Sequence, residues 1–321
     1  MSKKLNEIFK DVKSLQVQGA TVVTKVIIDA LLEDESEITR RSENKEDFIA
    51  EIRSVAKKLT LIKPSETMVQ NVLGFMLFEL QDPKVKDVKD CQKIVVNKSK
   101  ELKELIETNE KAFIKNGSKI IESFGKKYRH LNVFTHCHSS GVRNILKAVK
   151  SKEGISLRVF STETRPVFQG RATAKKMVDD GIDVTMIMDS AAPFVISEKS
   201  GDGFEIDLVL MGSDAITING ASINKVGSYG ISVSAQYAKI PLYIITSILK
   251  IKKGFYDMID IPVEVESYKN LWMESPKGLN VVNFAFDMVP AEFITGFITE
   301  FGVLKPEEIK GVVKENYPRL L

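Results

Sequence analysis

The chain has 321 residues, of which 43% are hydrophobic and 28% are charged, which is the usual mixture for a globular protein. Its 46 Lys and Arg residues nearly balance its 43 Asp and Glu residues, and the net charge of +3 argues against a dedicated DNA- or RNA-binding protein. Only two cysteines and three histidines are present. This count excludes a disulfide framework and a Cys-rich zinc site, and such low cysteine use is typical of a reducing cytoplasm.

Residues 1–125 are predicted to be helical almost throughout, because their apolar residues recur every three or four positions. Pro64 interrupts this pattern, and Asp82-Pro83 predicts a turn. No apolar run approaches the roughly 18 residues that a membrane span requires, and the first residues lack the apolar block of a signal peptide. We therefore expect a cytoplasmic protein that does not associate with membranes.

A basic stretch follows the turn, with seven lysines interleaved with acidic residues: Lys84, Lys86, Lys89, Lys93, Lys98, Lys100 and Lys103. Such patterning predicts a solvated helix face. An RNA- or phosphate-binding surface is the alternative interpretation.

Beyond His130, short apolar runs rich in β-branched residues alternate with helical stretches. The runs predicted to be buried parallel strands are residues 131–134, 157–161, 184–188, 208–211 and 242–246. The predicted crossover helices are residues 142–149, 172–178 and 231–238. We therefore predict a helical N-terminal domain, residues 1–125, followed by an α/β domain, residues 126–321, with a doubly wound, Rossmann-like parallel sheet.

In such sheets, ligands bind beyond the carboxyl ends of the strands. The polar residues that follow the predicted strands lie at 135–140, 162–166, 189–192, 212–215 and 247–250. Because these segments meet at one edge of the sheet, their thiol, imidazole, hydroxyl and carboxylate groups, with an Arg and a Lys, are predicted to form one site.

Cys137 is the first candidate for chemistry, since it ends a strand and precedes a helix predicted to begin near Ser139 or Ser140. A helix N-terminus favours the thiolate of a nearby cysteine, so Cys137 is interpreted as an acid–base thiol. The alternative is a small buried apolar residue. His136 and His138 would share one face of an extended chain and influence the thiol. No metal site is expected, because there is no histidine outside this stretch to complete one.

Asp214 follows another strand and can exchange protons with a substrate, although a turn or N-cap aspartate is the simpler interpretation. Asp189 has the same ambiguity. Residues 224–228 are predicted to form a loop in which Gly227 opens a helix near a bound phosphate. Because neither a dinucleotide fingerprint nor a phosphate-loop motif is present, no nucleotide cofactor is expected. Three basic residues at strand ends favour a doubly charged ligand: Arg165, Lys225 and Lys250.

These motifs resemble a superfamily with two functional branches. One contains archaeal ribose-1,5-bisphosphate isomerase and methylthioribose-1-phosphate isomerase, and the other contains the regulatory alpha, beta and delta subunits of eukaryotic translation initiation factor 2B. The resemblance rests on THCHS at 135–139, TETRP at 162–166, QG at 169–170, DSAA at 189–192, GSDAIT at 212–217, and NKVG at 224–227. It continues through FD at 286–287 and ITEFG at 298–302.

The resemblance implies that Cys137 and Asp214 are the catalytic pair of the isomerase branch, a pair that the regulatory subunits generally lack. It also implies the residues that contact substrate or phosphate, which are Gly19, Ala20, Lys63, Ser139, Ser140, Arg165, Asn219, Gly220, Asn224, Lys225 and Lys250. No cofactor is implied. A homodimer through the α/β domains, assembled further into a hexamer, and a place in nucleotide (AMP) metabolism are implied as well.

Two departures favour the other branch. The chain has Gln18 where the isomerases have an arginine that contacts substrate, and Lys63 where they have another arginine. Each charge-assisted hydrogen bond lost in this way costs about 1.5–3 kcal/mol of binding. The sequence thus predicts an isomerase acting on ribose 1,5-bisphosphate, with a regulatory subunit that binds initiation factor 2 or a nucleotide as the alternative.

Overall fold

The computed structural model describes residues 10–11, 19–61, 66–128, 130–152, 154–197, 201, 203–254 and 265–321. Its longer helices are Ala20–Arg41, Lys45–Thr60, Thr67–Glu79, Val88–Gly125, Ser140–Lys150, Gln169–Asp179, Ala192–Ile196, Ser228–Ala238, Tyr268–Leu271 and Ile309–Asn316. Its strands are β1 (His130–Thr135), β2 (Ser156–Thr162), β3 (Asp183–Ile187), β4 (Leu208–Gly212), β5 (Ala215–Ile216), β6 (Ser222–Lys225), β7 (Leu242–Ile245), β8 (Val265–Glu266), β9 (Asn283–Phe284), β10 (Phe286–Val289), β11 (Gly296–Thr299) and β12 (Gly302–Leu304).

The chain divides into two compact units, the first formed by Met1–Asn109 with Leu249–Ile251 and the second by Glu110–Ile248 with Lys252–Leu321. The described part of the first unit is helical, as the apolar periodicity predicts. The predicted interruption at Pro64 lies outside the described residues. None of the described helices is long and apolar enough to cross a membrane. The predicted boundary after residue 125 stays a prediction.

Five of the seven lysines of the basic stretch lie on helix Val88–Gly125, and Lys84 and Lys86 precede it. Several of these lysines pair with acidic residues of the first unit. Lys98 contacts Glu79 and Glu101, each at 2.7 Å, and Lys103 contacts Asp29 at 2.6 Å. These ion pairs fit the solvated helix face rather than a surface reserved for an anionic partner.

The second unit is built on a seven-stranded sheet with the order β12-β11-β7-β4-β1-β2-β3. All neighbouring strands are parallel except the edge pair β11 and β12. All five predicted strands are present as β1, β2, β3, β4 and β7, and the three predicted crossover helices lie between them in the chain. The doubly wound α/β fold is therefore confirmed. The prediction that all five are buried was wrong for β3, which is the outermost strand of the sheet and has no buried residue.

The sheet reverses its direction of growth between β1 and β4. The chain builds outward from β1 through β2 to β3, then returns to place β4 on the other side of β1. The two strands pair directly, with Val133 opposite Leu208 and Phe134 opposite Val209. Ligands of open α/β sheets bind at such a switch point, so the segments that follow β1 and β4 are the first place to seek a site.

One part of the fold differs from the sequence prediction. Residues 224–228 were predicted to form a loop, but Asn224 and Lys225 complete β6, which pairs antiparallel with β5 and β10 in a separate three-stranded sheet. The prediction was wrong because β6 is only four residues long and ends in polar residues, so its sequence resembles a turn.

Asp287 of β10 occupies the N-terminus of helix Ser228–Ala238. Its Oδ2 accepts hydrogen bonds from the backbone N–H of Gly227 at 2.7 Å and of Tyr229 at 3.1 Å. Gly227 does open this helix, with φ of 108°, as the sequence predicts. The phosphate predicted near that position, however, would meet a carboxylate that already binds the free N–H groups.

Helix Gln169–Asp179 approaches the end of β2 closely. An added Cβ at Gly170 would lie 1.9 Å from the backbone oxygen of Thr162, whereas at Gly311, in another helix, it would meet open space. We expect Gly170→Ala to destabilise the second unit by about 1–3 kcal/mol through overpacking. Gly311→Ala gains about 0.5–1 kcal/mol from helix propensity alone. Chemical denaturation of both variants checks this prediction, and equal midpoints would contradict it.

The buried carboxyl of Asp287 is expected to make the free energy of unfolding depend on pH. Burial raises the pKa of this carboxyl to about 6, although the N–H groups of the helix oppose the shift. The ordinary pKa of an aspartate in an unfolded chain is about 4. At pH values between about 4 and 6, Asp287 therefore binds its proton in the folded protein but loses it in the unfolded chain. The contribution of Asp287 to stability is therefore greatest below pH of about 4 and is lost as the pH rises to about 6.

Asp287→Asn keeps an oxygen acceptor for the helix but removes this titration. The stability of the variant relative to the parent protein is expected to rise by about 2 kcal/mol between pH of about 4 and 6, and then to stay constant. Denaturation midpoints measured at several pH values test the difference. A flat difference across that range would show that Asp287 titrates normally.

Candidate functional site

Cys137 lies between β1 and helix Ser140–Lys150 and is held on every side by the second unit. Its side chain is 6% exposed. The backbone N–H donates to Thr164 Oγ1 at 3.1 Å, the carbonyl accepts from Thr173 Oγ1 at 3.2 Å, and Sγ lies 3.6 Å from Gln169 Oε1. The thiol is thus fixed beyond the carboxyl end of β1, where ligands of such sheets are expected to bind.

The backbone around this cysteine is strained. Among the described residues, four other than glycine have a positive φ, and three of them belong here: Cys137 at 67°, Thr164 at 59° and Phe168 at 55°. The fourth is Lys239. Because such conformations cost about 1–3 kcal/mol each, they persist only where the surrounding structure enforces them, and they concentrate at functional sites. Cys137 is therefore not in the extended conformation that the alternation of His136 and His138 suggests.

A chain of hydrogen bonds fixes the orientation of the residues beside the thiol. His136 Nε2 lies 3.0 Å from the carbonyl oxygen of Val226, so it carries the proton, and Nδ1 accepts from Thr162 Oγ1 at 2.6 Å. Thr164 Oγ1 accepts from Cys137 and lies 3.3 Å from Thr162 Oγ1. The hydroxyls therefore point in one direction, from the cysteine amide to the imidazole.

His136 is neutral in this arrangement. Burial lowers the pKa of its imidazole and the charge of Lys225 lowers it further, while the charge of Asp189 opposes the shift. His138 Nδ1 lies 2.7 Å from Thr173 Oγ1. The described residues contain no group of three His, Cys, Asp or Glu side chains able to hold a metal ion. His136 therefore organises the loop and, as a neutral imidazole, supplies no positive charge to the thiol.

Asp214 follows β4, the strand that adjoins β1 at the switch point. Its backbone N–H donates to the carbonyl of Ile223 at 2.9 Å, and its side chain is half-buried. The end of β4 lies against the segment after β1, since a Cβ added at Gly212 would lie 2.7 Å from Ser139 Oγ. The fold therefore brings the predicted catalytic carboxylate and thiol to the same end of the same strand pair.

Lys225 is a buried cation, only 5% exposed, at the end of β6. Its Nζ lies 3.5 Å from Glu266 Oε1 and 4.5 Å from the ring centroid of Phe286. The neighbouring Asn224 donates from Nδ2 to Ser228 Oγ at 2.9 Å. A buried ammonium requires a compensating anion. Glu266 supplies that charge here, through one long contact.

The other predicted phosphate ligands of this unit have diverse surroundings. Ser139 is the N-cap of helix Ser140–Lys150, with Oγ accepting from the backbone of Val142 at 3.2 Å, and Ser140 begins the helix. Arg165 is exposed, and its guanidinium lies 5.3 Å from the ring centroid of Phe168. The serines and the arginine follow the adjacent strands β1 and β2.

Asn219 and Gly220 form the turn between β5 and β6. The backbone N–H of Gly220 donates to the carbonyl of Thr217 at 3.1 Å, and its φ is 82°. A Cβ at Gly220 would lie 2.5 Å from the backbone oxygen of Pro306. The turn and this close approach both require glycine at position 220, and a phosphate contact by the Asn-Gly pair stays a prediction.

Three further predicted ligands are described in the structure. Gly19 is the N-cap of the first helix, with φ of 90°, and Ala20 begins that helix. Lys250 is the last residue of a short 3-10 helix. The backbone carbonyls of the residues on either side of it, Leu249 and Ile251, each accept a hydrogen bond from Asn71 Nδ2 at 2.8 Å. These residues belong to the first unit. Lys63 lies outside the described residues.

Asp189 has a role that sequence reasoning left open. Its Oδ1 accepts from the backbone N–H of Thr164 at 2.7 Å, and its Oδ2 accepts from that of Arg165 at 2.6 Å. Gln169 and Glu266 were missed as site residues, although Gln169 stands in a motif of the resemblance. Position after a strand was the signal for Asp189, whereas no local signal marks Glu266, which lies 41 residues from Lys225.

Comparison with known proteins agrees with the motifs. The Initiation factor 2 subunit family profile matches residues 16–306. The chain is 30% identical over 320 residues to the ribose 1,5-bisphosphate isomerase of Methanocaldococcus jannaschii, covering 98% of this chain and 95% of that protein. It is 27% identical over 321 residues to the methylthioribose-1-phosphate isomerase of Desulforamulus reducens, covering 95% and 88%.

The fold has a solved counterpart in the translation initiation factor eIF-2B of Pyrococcus horikoshii OT3. The TM-score is 0.76 at 20% identity, with 95% of this chain and 98% of that chain covered. This likeness establishes the fold, and the sequence matches over nearly the whole length establish the relationship. The chain belongs to the Initiation factor 2 subunit family.

Proposed function

We propose that the protein is an aldose–ketose isomerase that converts ribose 1,5-bisphosphate into ribulose 1,5-bisphosphate. The observation that carries the proposal is the placement of Cys137 and Asp214 after adjacent strands at the switch point of the sheet, with Ser139 against Gly212 between them. A thiol and a carboxylate at one strand pair supply the two proton-transferring groups that an isomerisation needs. The relative in Methanocaldococcus jannaschii bears the name of this activity.

The chemistry requires two proton transfers and one hydrogen shift. Phosphate blocks the anomeric oxygen of an aldose 1-phosphate, so the ring must open without a free aldehyde. A proton goes to the ring oxygen as its bond to C1 breaks, the hydrogen at C2 moves to C1 with its electron pair, and the C2 hydroxyl loses its proton to become the ketone. Cys137 and Asp214 are the proposed pair for the proton transfers, and the remaining atoms balance within the substrate.

Basic and hydroxyl groups at the carboxyl ends of the strands are proposed to bind the phosphates. Lys225 is a point charge in a buried setting, and Arg165 offers a guanidinium fork. Ser139 and Ser140 stand at the N-terminus of a helix, which favours anions. Phosphate contacts by seven further residues stay predictions: Gly19, Ala20, Lys63, Asn219, Gly220, Asn224 and Lys250.

The family resemblance supports an assembly of like subunits through the α/β units, as a dimer or a hexamer. A phosphorylated sugar is the proposed small-molecule partner, within nucleotide (AMP) metabolism, and contact with initiation factor 2 belongs to the alternative function. A cytoplasmic location is proposed from the low cysteine count.

A regulatory subunit of the initiation factor 2B type is the second candidate. The specific observation in its favour is the pair of departures at Gln18 and Lys63, which removes one guanidinium and replaces another by an ammonium. Two results together would establish this role instead. Purified initiation factor 2 would be retained on the immobilised protein at moderate salt, and neither ribose 1,5-bisphosphate nor 5-methylthioribose 1-phosphate would be turned over.

The proposed chemistry is tested with ribose 1,5-bisphosphate and, in parallel, 5-methylthioribose 1-phosphate. Cys137→Ser and Asp214→Asn are each expected to lower kcat by about 10²- to 10⁴-fold with KM nearly unchanged, because general acid–base groups contribute that much. Cys91→Ser is the matched control, since Cys91 is a buried thiol of the first unit. Product analysis by NMR gives the rates.

The control variant is expected to retain the parent rate. Turnover of the methylthio substrate alone would move the assignment to the other isomerase of the family. No ketose from either substrate, or an unchanged kcat in Cys137→Ser, would contradict the proposal.

Glu266 generates a prediction about substrate affinity, because a phosphate must compete with its carboxylate for Lys225. Glu266→Gln removes the competing charge and is expected to lower KM by about threefold to tenfold, an effect that decreases as salt screens the charges. Glu274→Gln makes the same change of charge at an exposed position of the same segment and serves as the control. Steady-state kinetics at low and high salt provide the comparison. A raised KM in Glu266→Gln would instead make Glu266 a substrate ligand.

A further inference from the structure

The loop after β2 is the element that holds Cys137 in place. Thr164 accepts the cysteine N–H through Oγ1 at 3.1 Å, and both Thr164 and Cys137 have left-handed backbone conformations. A threonine does not adopt this conformation unless its surroundings impose it. The position of the cysteine amide therefore depends on what fixes the backbone of Thr164.

Asp189, from the segment after β3, fixes that backbone. Its two carboxylate oxygens accept from two successive N–H groups, those of Thr164 at 2.7 Å and Arg165 at 2.6 Å. Hydrogen bonds to an ionised acceptor are short and about twice as strong as neutral ones. The two bonds together determine both the position and the orientation of the peptide between these residues.

The geometry argues against two other roles for Asp189. As an N-cap it would bind the N–H groups of its own helical turn, but both of its oxygens bind the neighbouring loop. As a proton-transfer group it would need an oxygen directed at the substrate, whereas each oxygen here already accepts a backbone N–H. Its contacts instead lead to the thiol segment through a single side chain, that of Thr164.

We propose that Asp189 is a positioning residue for Cys137, acting through Thr164. The carboxylate holds the loop after β2 in its strained conformation, and the hydroxyl of Thr164 then holds the amide of Cys137. The catalytic consequence rests on the proposed isomerase function. The structural consequence, a fixed Cys137 amide, holds whichever substrate the protein takes.

The test is Asp189→Asn, which preserves shape but replaces one acceptor oxygen by an NH₂ group that faces a backbone N–H. Amide hydrogen exchange of the peptide containing Cys137 is expected to become about tenfold faster. In the isomerase assay, kcat is expected to fall about tenfold with KM within about twofold of the parent value. Asp183→Asn is the matched control, because Asp183 lies on β3 and pairs with an exposed arginine, Arg158, at 3.0 Å.

Thr164→Val provides a second route that leaves the carboxylate in place. It removes the acceptor of the Cys137 N–H and is expected to give the same increase in exchange at Cys137, and the double variant is expected to add little to either single change. Unchanged exchange at Cys137 in both single variants would overturn the proposal, as would equal changes in Asp183→Asn. An inactive parent protein would refute the isomerase function but not the positioning role, which exchange measures independently.

Discussion

The pairing of β1 with β4 is the constraint on which the site depends. These strands are far apart in the sequence, yet the doubly wound order makes them neighbours at the point where the sheet reverses direction. The segments that follow them must then share one edge, and the close approach of Gly212 to Ser139 shows that the end of β4 touches the segment after β1. Cys137 and Asp214 lie in these segments, so the topology itself brings together a thiol and a carboxylate.

Three carboxylates contact backbone N–H groups or an ammonium that would otherwise attract an anion. Asp287 binds the N–H groups at the start of helix Ser228–Ala238, Asp189 binds two N–H groups of the loop after β2, and Glu266 lies beside Lys225. The first two make short contacts with backbone donors and serve the architecture. Glu266 makes one contact of 3.5 Å with a flexible ammonium. The contact between Glu266 and Lys225 is therefore the weakest of the three.

Much of the fold and part of the site follow from the sequence. Continuous apolar runs with β-branched residues mark the strands, and this is why β1, β2, β3, β4 and β7 are predicted close to their observed bounds. The runs do not distinguish the interior strands from β3, which lies at the edge of the sheet and is not buried. The position of a residue after a strand is equally local, so the sequence alone is enough to make Cys137 and Asp214 candidates. Strand β11, the edge strand β12 and the small sheet of β5, β6 and β10 were not predicted. Each of these strands has only two to four residues, and all but β5 include glycine or polar residues that interrupt the apolar run.

The sequence does not reveal hydrogen-bond partners that are distant from each other along the chain. Asp287 lies 60 residues from the N–H of Gly227, and Asp189 lies 25 residues from that of Thr164. The left-handed conformation of Cys137 follows from such contacts and not from local propensity, since cysteine has no preference for a positive φ. The same holds for His136, whose tautomer is set by Thr162 and by the carbonyl of Val226.

Cys137 and Asp214 are proposed to act together on one substrate, and this joint action is what the proposed isomerase function requires. It is tested most directly by comparing the kcat of Cys137→Ser, Asp214→Asn and the double variant with ribose 1,5-bisphosphate. Residues that serve one reaction as a unit are not additive, so the double variant is predicted to lose no more than about the larger of the two single losses. Losses that multiply, or a double variant that retains the parent rate, would contradict the account.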